Sequence, residues 1–206
     1  MQEYTPSYQR LIDELNKLPG IGPKSAEKLA SYIISLDDSS FNDFIETITQ
    51  AKAKIKKCSI CYNLTEEETC DICRNLERDS SILCVVEEVK DLIAIEKTGV
   101  YSGIYHVLHG VLKPIENINA ENIKILELIQ RIKKGTFKEL ILATNLTYDG
   151  ELTAMYIYRE VSDPGIRITR LASGLPVGSD IEFADQITLR NAFKGRGIIR
   201  ILEDKA

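Results

Sequence analysis

The sequence lacks any apolar run near the roughly 18–20 residues that would cross a bilayer. Its opening stretch, MQEYTPSYQR, lacks the charged-then-apolar order of a secretory signal. No membrane role is expected, and a cytoplasmic setting is. Positive charge is also in short supply: 26 Lys and Arg against 31 Asp and Glu leave a net charge of -5. That balance excludes a protein that coats nucleic acid through bulk positive charge, so any contact with a polyanion must be local. Histidine is scarce, and neither His106 nor His109 has a serine or cysteine nucleophile arranged with it. Both read as structural, and nucleophilic catalysis has no candidate machinery. There is no internal repeat and no low-complexity tract. The glycine-bearing stretch GLPVGS, residues 174–179, lacks the Gly-Lys-Ser/Thr ending of a phosphate loop and points only weakly to a nucleotide.

What is present fits a globular chain of 206 residues, 44% hydrophobic and 28% charged, long enough for one ordinary domain or two small ones. The first third is helical in pattern. Tyr8, Leu11, Ile12 and Leu15 recur at i, i+3, i+4 and i+7, as do Ala26, Leu29, Ala30 and Ile33, then Phe41, Phe44, Ile45 and Ile48. Pro23 suits a first helical turn, and Asp38, Ser39 and Ser40 offer caps for the third helix. From SILCVVE onward strand and helix alternate: VKDLIAIEKTG a helix, IYHVLHG a strand, ENIKILELIQRIKKG a helix with Ile125, Leu128, Ile129 and Ile132 on one face. ELILATN follows as a strand, LTAMYIYRE as a helix and GIRITRLA as a strand. This order predicts an α/β fold with a parallel sheet. DIEFADQITLRNAFKG then looks helical, and GIIRIL reads as a short terminal strand.

The stretch LPGIGPKSAEKLA, residues 18–30, joins the first two helices through Gly20 and Gly22. Glycine there permits positive φ and close backbone approach, and Ile21 would anchor the turn. The start of the second helix offers N–H groups and positive dipole charge, with Lys24 and Lys28 one turn apart beside it. A tight turn between helices is the plain reading; periodic helices on both sides and the lysine after proline favour a helix-hairpin-helix DNA-binding motif. Such a motif grips sugar-phosphate without reading bases, so binding would be independent of sequence and sensitive to salt. Lys52, Lys54, Lys56 and Lys57 form a second basic run, read equally well as a solvated face.

Cys58, Cys61, Cys70 and Cys73 make two Cys-x2-Cys pairs separated by eight residues. Two close pairs supply four thiolates to one tetrahedral ion, and zinc suits them best; disulfides or an iron–sulfur cluster are the other readings. The intervening YNLTEEET has almost no apolar content, so the metal would hold the segment together rather than catalyse. Cys84, inside SILCVVE, reads as a small core residue. Among the carboxylates, Glu87 ends a strand, Asp91 follows one helical turn later, and Asp149-Gly150-Glu151 follows ELILATN. Carboxyl ends of parallel strands are where such sheets place ligands, and these acids together would admit Mg²⁺. Singly, each reads as a turn or a solvated helix face.

Taken in order, LPGIGPKSAEKLA, the four cysteines, CVVEEVKD, YHVLHG, LATNLTYDGELTAMYI and RLASGLPVGSDIEFADQITL resemble the bacterial recombination mediator family RecR over nearly the whole chain. The resemblance implies an α/β chain made of a helix-hairpin-helix bundle (1–56), a four-cysteine zinc finger (57–78), a Toprim domain with a mostly parallel, Rossmann-like sheet (79–173) and a C-terminal helix and strand segment for subunit assembly (174–206). It implies DNA contact, single- or double-stranded, at Gly20, Gly22, Lys24 and Lys28, structural zinc on the four cysteines, and Toprim acids at Glu87, Asp91, Asp149 and Glu151 that meet a partner or Mg²⁺. It further implies a ring-shaped homotetramer, partners RecO and RecF, and help in loading RecA onto strands covered by single-strand-binding protein, with IIRIL joining subunits. A non-enzyme is thereby expected; a Mg²⁺-dependent Toprim nuclease, primase or topoisomerase is the alternative, although the chain offers no Asp-x-Asp pair.

Overall fold

The computed structural model describes residues 4–161 and 165–197. The chain divides into two compact units, the first ending at Ile55 and the second beginning at Lys56.

The first unit is three helices, α1 (Pro6–Asn16), α2 (Pro23–Ser35) and α3 (Asp38–Lys54). Proline occupies the first turn of α1 and of α2, where its missing N–H costs nothing. Tyr8, Leu11, Ile12, Leu15 and Ile21 pack on Ala26 and Ala30, whose small side chains let α1 and α2 lie close. The cap of α3 is Asp37, one residue ahead of the three expected from sequence, and its carboxylate accepts from Ser40 N–H. No residue of α3 is buried; Phe41, Phe44, Ile45 and Ile48 are each 38–51% exposed. The periodic stripe is there, but the small α1–α2 core does not cover it.

The second unit opens with the cysteine segment, in which β1 (Lys56–Lys57) pairs antiparallel with β2 (Leu64–Thr65) and a single turn of helix, α4, spans Asp71–Arg74. The α/β part follows: β3 (Asp79–Val86), α5 (Val89–Glu96), β4 (Gly103–Val107), α6 (Ile125–Lys134), β5 (Glu139–Leu142), α7 (Tyr148–Val161) and β6 (Arg167–Arg170). The four strands lie in the order β4-β3-β5-β6, all parallel. Alternation along β3 sorts its side chains to two faces. Leu83 and Val85 join Leu140, Leu142, the whole predicted stripe of α6 (Ile125, Leu128, Ile129, Ile132) and Ala154 and Ile157 of α7. Cys84 and Val86 join Leu92, Tyr105 and Val107, with Tyr62 and Ile72 of the cysteine segment packed against them. Both faces are thus covered, as an all-parallel sheet requires.

Two elements differ from the sequence pattern. α7 begins at Tyr148 and takes in Asp149-Gly150, which on their own suggest a turn. The stretch expected as one helix from Asp180 is a 3-10 turn (Ile181–Phe183) followed by α8 (Gln186–Lys194), because Asp185 caps α8 by accepting from Ile187 and Thr188 N–H. The strand expected from IIRIL lies outside the described residues. Among those described, no helix is long and apolar enough to cross a membrane.

His106 sits on β4, fully buried, its Nε2 2.8 Å from the Lys124 carbonyl and its Nδ1 without a partner. The carbonyl accepts, so Nε2 carries the proton, and burial pushes the pKa down to about 4. A folded pKa below the unfolded one means that acid favours the unfolded chain, so this contribution is present above pH ~6.5 and lost as pH falls toward 4. Unfolding free energies from urea titrations should therefore drop across that window by up to about 3 kcal/mol more in the wild type than in His106→Gln. Taking the difference between the two proteins cancels protonation of the thiolates.

Candidate functional site

Three places carry the residues singled out by the sequence. In the first unit, the chain leaves α1 through bonds from Lys17 N–H to Glu14 O and from Leu18 N–H to Leu15 O, and Ile21 N–H closes the turn on Leu18 O at 3.0 Å. Gly20 adopts φ +83, which a side chain would strain. Gly22 does not: its φ of -85 and ψ of 170 are ordinary for the residue that precedes a helix. A Cβ added at either glycine would meet no protein atom within 4 Å. Packing inside the protein therefore does not account for the bare backbone at Gly22. No side chain caps α2, and Lys24 and Lys28 are exposed on its first turns.

The four cysteines converge. Their sulfur atoms all lie within 4.8 Å of one another, and Cys58, Cys61 and Cys70 are buried. None is in a disulfide. Four sulfurs around zinc at the usual bond length of about 2.3 Å would stand about 3.8 Å apart, and the Cys61 and Cys70 sulfurs are at 3.5 Å. Backbone N–H groups of Asn63 and Cys70 point at the Cys61 and Cys58 sulfurs, as they do where thiolates carry charge. Cys61 and Cys73 lie beside Cys70 and hold its thiol well below the ordinary range, whereas burial alone pushes the isolated Cys84 up to about 12. The donor set fits a closed structural Zn²⁺ site. The same segment is fastened to the sheet: Val107 N–H donates to the Cys61 carbonyl at 2.8 Å, and the His109 ring to the Tyr62 carbonyl at 2.7 Å. Tyr62 and His109 both hold positive φ, near 64 and 58, to make that seam.

The carboxylates lie at the carboxyl ends of β3 and β5 but are already engaged. Glu87 accepts from the Asn145 N–H at 2.7 Å and from the Asn145 side-chain amide at 2.5 Å. Gly150 fits between them, since a Cβ there would come 2.2 Å from the Asn145 carbonyl and 2.8 Å from Glu87 Oε1. Glu151 is paired with Arg170 at 2.8 Å. Asp91 turns back to accept from the Glu88 N–H, the second half of a capping box at the start of α5. Among the described residues, the cysteines are the only set of three or more candidate ligands close enough to hold one ion. Asn145 and Arg170 went unnoticed in the sequence; an arginine closing a strand, where ligand groups gather, was the available signal.

Family models match in chain order: RecR helix-hairpin-helix over residues 8–52, the RecR zinc finger domain of four cysteines over 55–75, Toprim domain over 81–172, and RecR C-terminal over 174–196. Similar curated proteins include the recombination protein RecR of Paenarthrobacter aurescens, 49% identical over 94% of this chain and 97% of the relative. That of Acidothermus cellulolyticus is 51% identical over the same shares, and that of Streptomyces avermitilis 46% identical over 96% and 100%.

Removing the metal should undo the cysteine segment and loosen the sheet edge to which it is fastened. Cys61→Ser is expected to take bound zinc, measured by atomic absorption, from roughly one per chain to near zero and to lower the melting temperature. Cys84→Ser should keep its zinc.

Proposed function

Because the chain belongs to the RecR family of recombination proteins, we propose that it is a non-catalytic DNA-binding mediator of recombinational repair that grips sugar-phosphate backbone through the α1–α2 hairpin. The observation that carries this reading is Gly22: the space beside its backbone is open and filled by no protein atom, which leaves a bare main-chain face at the start of α2 for a ligand to approach. A phosphate approaching the bare turn would meet the N–H groups and positive pole of α2, with Lys24 and Lys28 beside it. Gly20, Gly22, Lys24 and Lys28 are the residues assigned to DNA. Nothing in that set reads base edges, so single and double strands of any sequence are bound.

One hairpin offers few phosphate contacts, and the chain is acidic overall. Several hairpins facing one channel multiply the grip, which is why a ring-like homotetramer belongs to the proposal. The uncovered apolar stripe of α3 supports self-association, as do Phe183, Ile187 and Phe193, each at least 68% exposed. The roles are divided among residues 1–56 for DNA, 57–78 for zinc, 79–173 for the Toprim fold and 174–206 for assembly. The acidic corner at Glu87, Asp149 and Glu151, with Asp91 nearby in sequence, is assigned to basic surfaces of RecO or RecF. Through them the clamp helps load RecA on strands covered by single-strand-binding protein, in the cytoplasm at the nucleoid.

Lys24→Ala with Lys28→Ala should weaken DNA binding at least about tenfold and flatten the slope of log K against log salt by roughly one for each lysine lost. Zinc content and circular dichroism should not change. Gly22→Ala should cost only about 0.5–1 kcal/mol of stability, as a poorer helix cap, yet reduce DNA affinity. Unchanged gel-shift affinity in these folded variants would refute the hairpin assignment.

A further inference from the structure

The acidic corner is where the sequence admits Mg²⁺, and its donors do not suit an ion. Both oxygens of Glu87 already accept hydrogens, one from the Asn145 backbone and one from its amide. Glu87 is also buried, so a cation could reach its remaining lone pairs only by entering beside those two N–H donors and shedding its water. The second acid, Glu151, meets a guanidinium: Arg170 Nη2 lies 2.8 Å from Glu151 Oε1.

Arg170 is well placed for this. It ends β6, next to Leu142 at the end of β5, so its side chain reaches the turn that carries Asn145. Nη1 donates to Thr144 Oγ1 at 2.9 Å, and Nη2 also approaches the carbonyls of Thr144 at 3.4 Å and Asn145 at 3.3 Å. Thr144 Oγ1 in turn donates to the Gly150 carbonyl, at 2.9 Å, inside the first turn of α7. One side chain thus ties together the ends of β5 and β6 and the start of α7. Its Nε is buried with no hydrogen-bond partner. An unmet buried donor is costly, and it is tolerated here to keep the guanidinium against the carboxylate.

We propose that Arg170 acts as a built-in cation that takes the place of a divalent ion at this corner and so keeps the Toprim acids free of metal. The guanidinium satisfies Glu151 with a directional bond that a hydrated ion would have to displace. Asp149 and the exposed side of Glu151 are left for a cation carried on another protein, a consequence that rests on the partner reading above. The metal exclusion does not: the Lys24 and Lys28 variants leave it untouched, and its failure leaves DNA retention untouched.

The test is Mn²⁺ titration of the zinc-loaded full chain, followed by electron paramagnetic resonance. Wild type and Arg170→Lys, which keeps the charge, should show no Mn²⁺ bound at this corner below ~1 mM. Arg170→Met should bind at least about tenfold more tightly, because Glu151 loses the guanidinium that compensates it, and adding Glu151→Gln should abolish the gain. Arg170→Gln, whose amide still reaches the turn carbonyls, serves if the methionine variant does not fold, with zinc content and circular dichroism as the check. Submillimolar Mn²⁺ binding by wild type that disappears in Glu151→Gln overturns the proposal. So does a folded neutral variant that gains nothing.

Discussion

Four sulfur atoms drawn together within 4.8 Å hold a segment that has almost nothing else to hold it. The polar stretch between the two cysteine pairs buries too little apolar surface to fold alone, so its shape depends on the metal the thiolates suit. That dependence does not stop at the segment. Through the Cys61 and Tyr62 carbonyls it is bonded to Val107 and His109, at and just past the end of β4. β4 is an outer strand, and Tyr62 and Ile72 pack on the face that α5 leaves partly open. The metal-held segment therefore serves as part of the wall of the α/β core, and an exposed strand edge with its unpaired backbone is partly closed by it.

The hairpin and the acidic corner show opposite uses of glycine. At Gly22 the space beside the backbone is open on the protein side, so internal packing does not call for glycine. At Gly150 the space is filled by Asn145 and Glu87, so the reason is internal. The first makes a surface available and the second draws a carboxylate, an amide and a helix start into one corner. On the proposed function, a chain with an excess of acid would contact polyanions and basic proteins from different places in this way, without large fields of either sign.

Much of this was legible in the residues. The α6 stripe of Ile125, Leu128, Ile129 and Ile132 is buried as its period requires, and the parallel sheet follows from strand and helix in alternation. The cysteine spacing led directly to a converged site, because two short pairs leave little freedom. Local competition was less readable. Asp37 rather than Asp38 caps α3, since either aspartate could accept and only the chain's path selects one. Asp149-Gly150 carries turn chemistry yet lies in α7, where Thr144 and Thr147 hold the first turn. Asp91 looked like a member of an acidic set and is spent on a helix cap. The periodicity of α3 was read correctly as a pattern, but a pattern states that a face is apolar and not what covers it. Arg170 could not be paired with Glu151 from sequence because 19 positions separate them.

The close fit at Gly150 also constrains how this chain can vary over generations. Even a methyl group there would collide with the Asn145 carbonyl at 2.2 Å, a main-chain atom that cannot swing aside like the tip of a long side chain. Any side chain at Gly150 therefore requires the Asn145 turn to shift. An inherited change at that one codon would prise the Asn145 turn away from the start of α7.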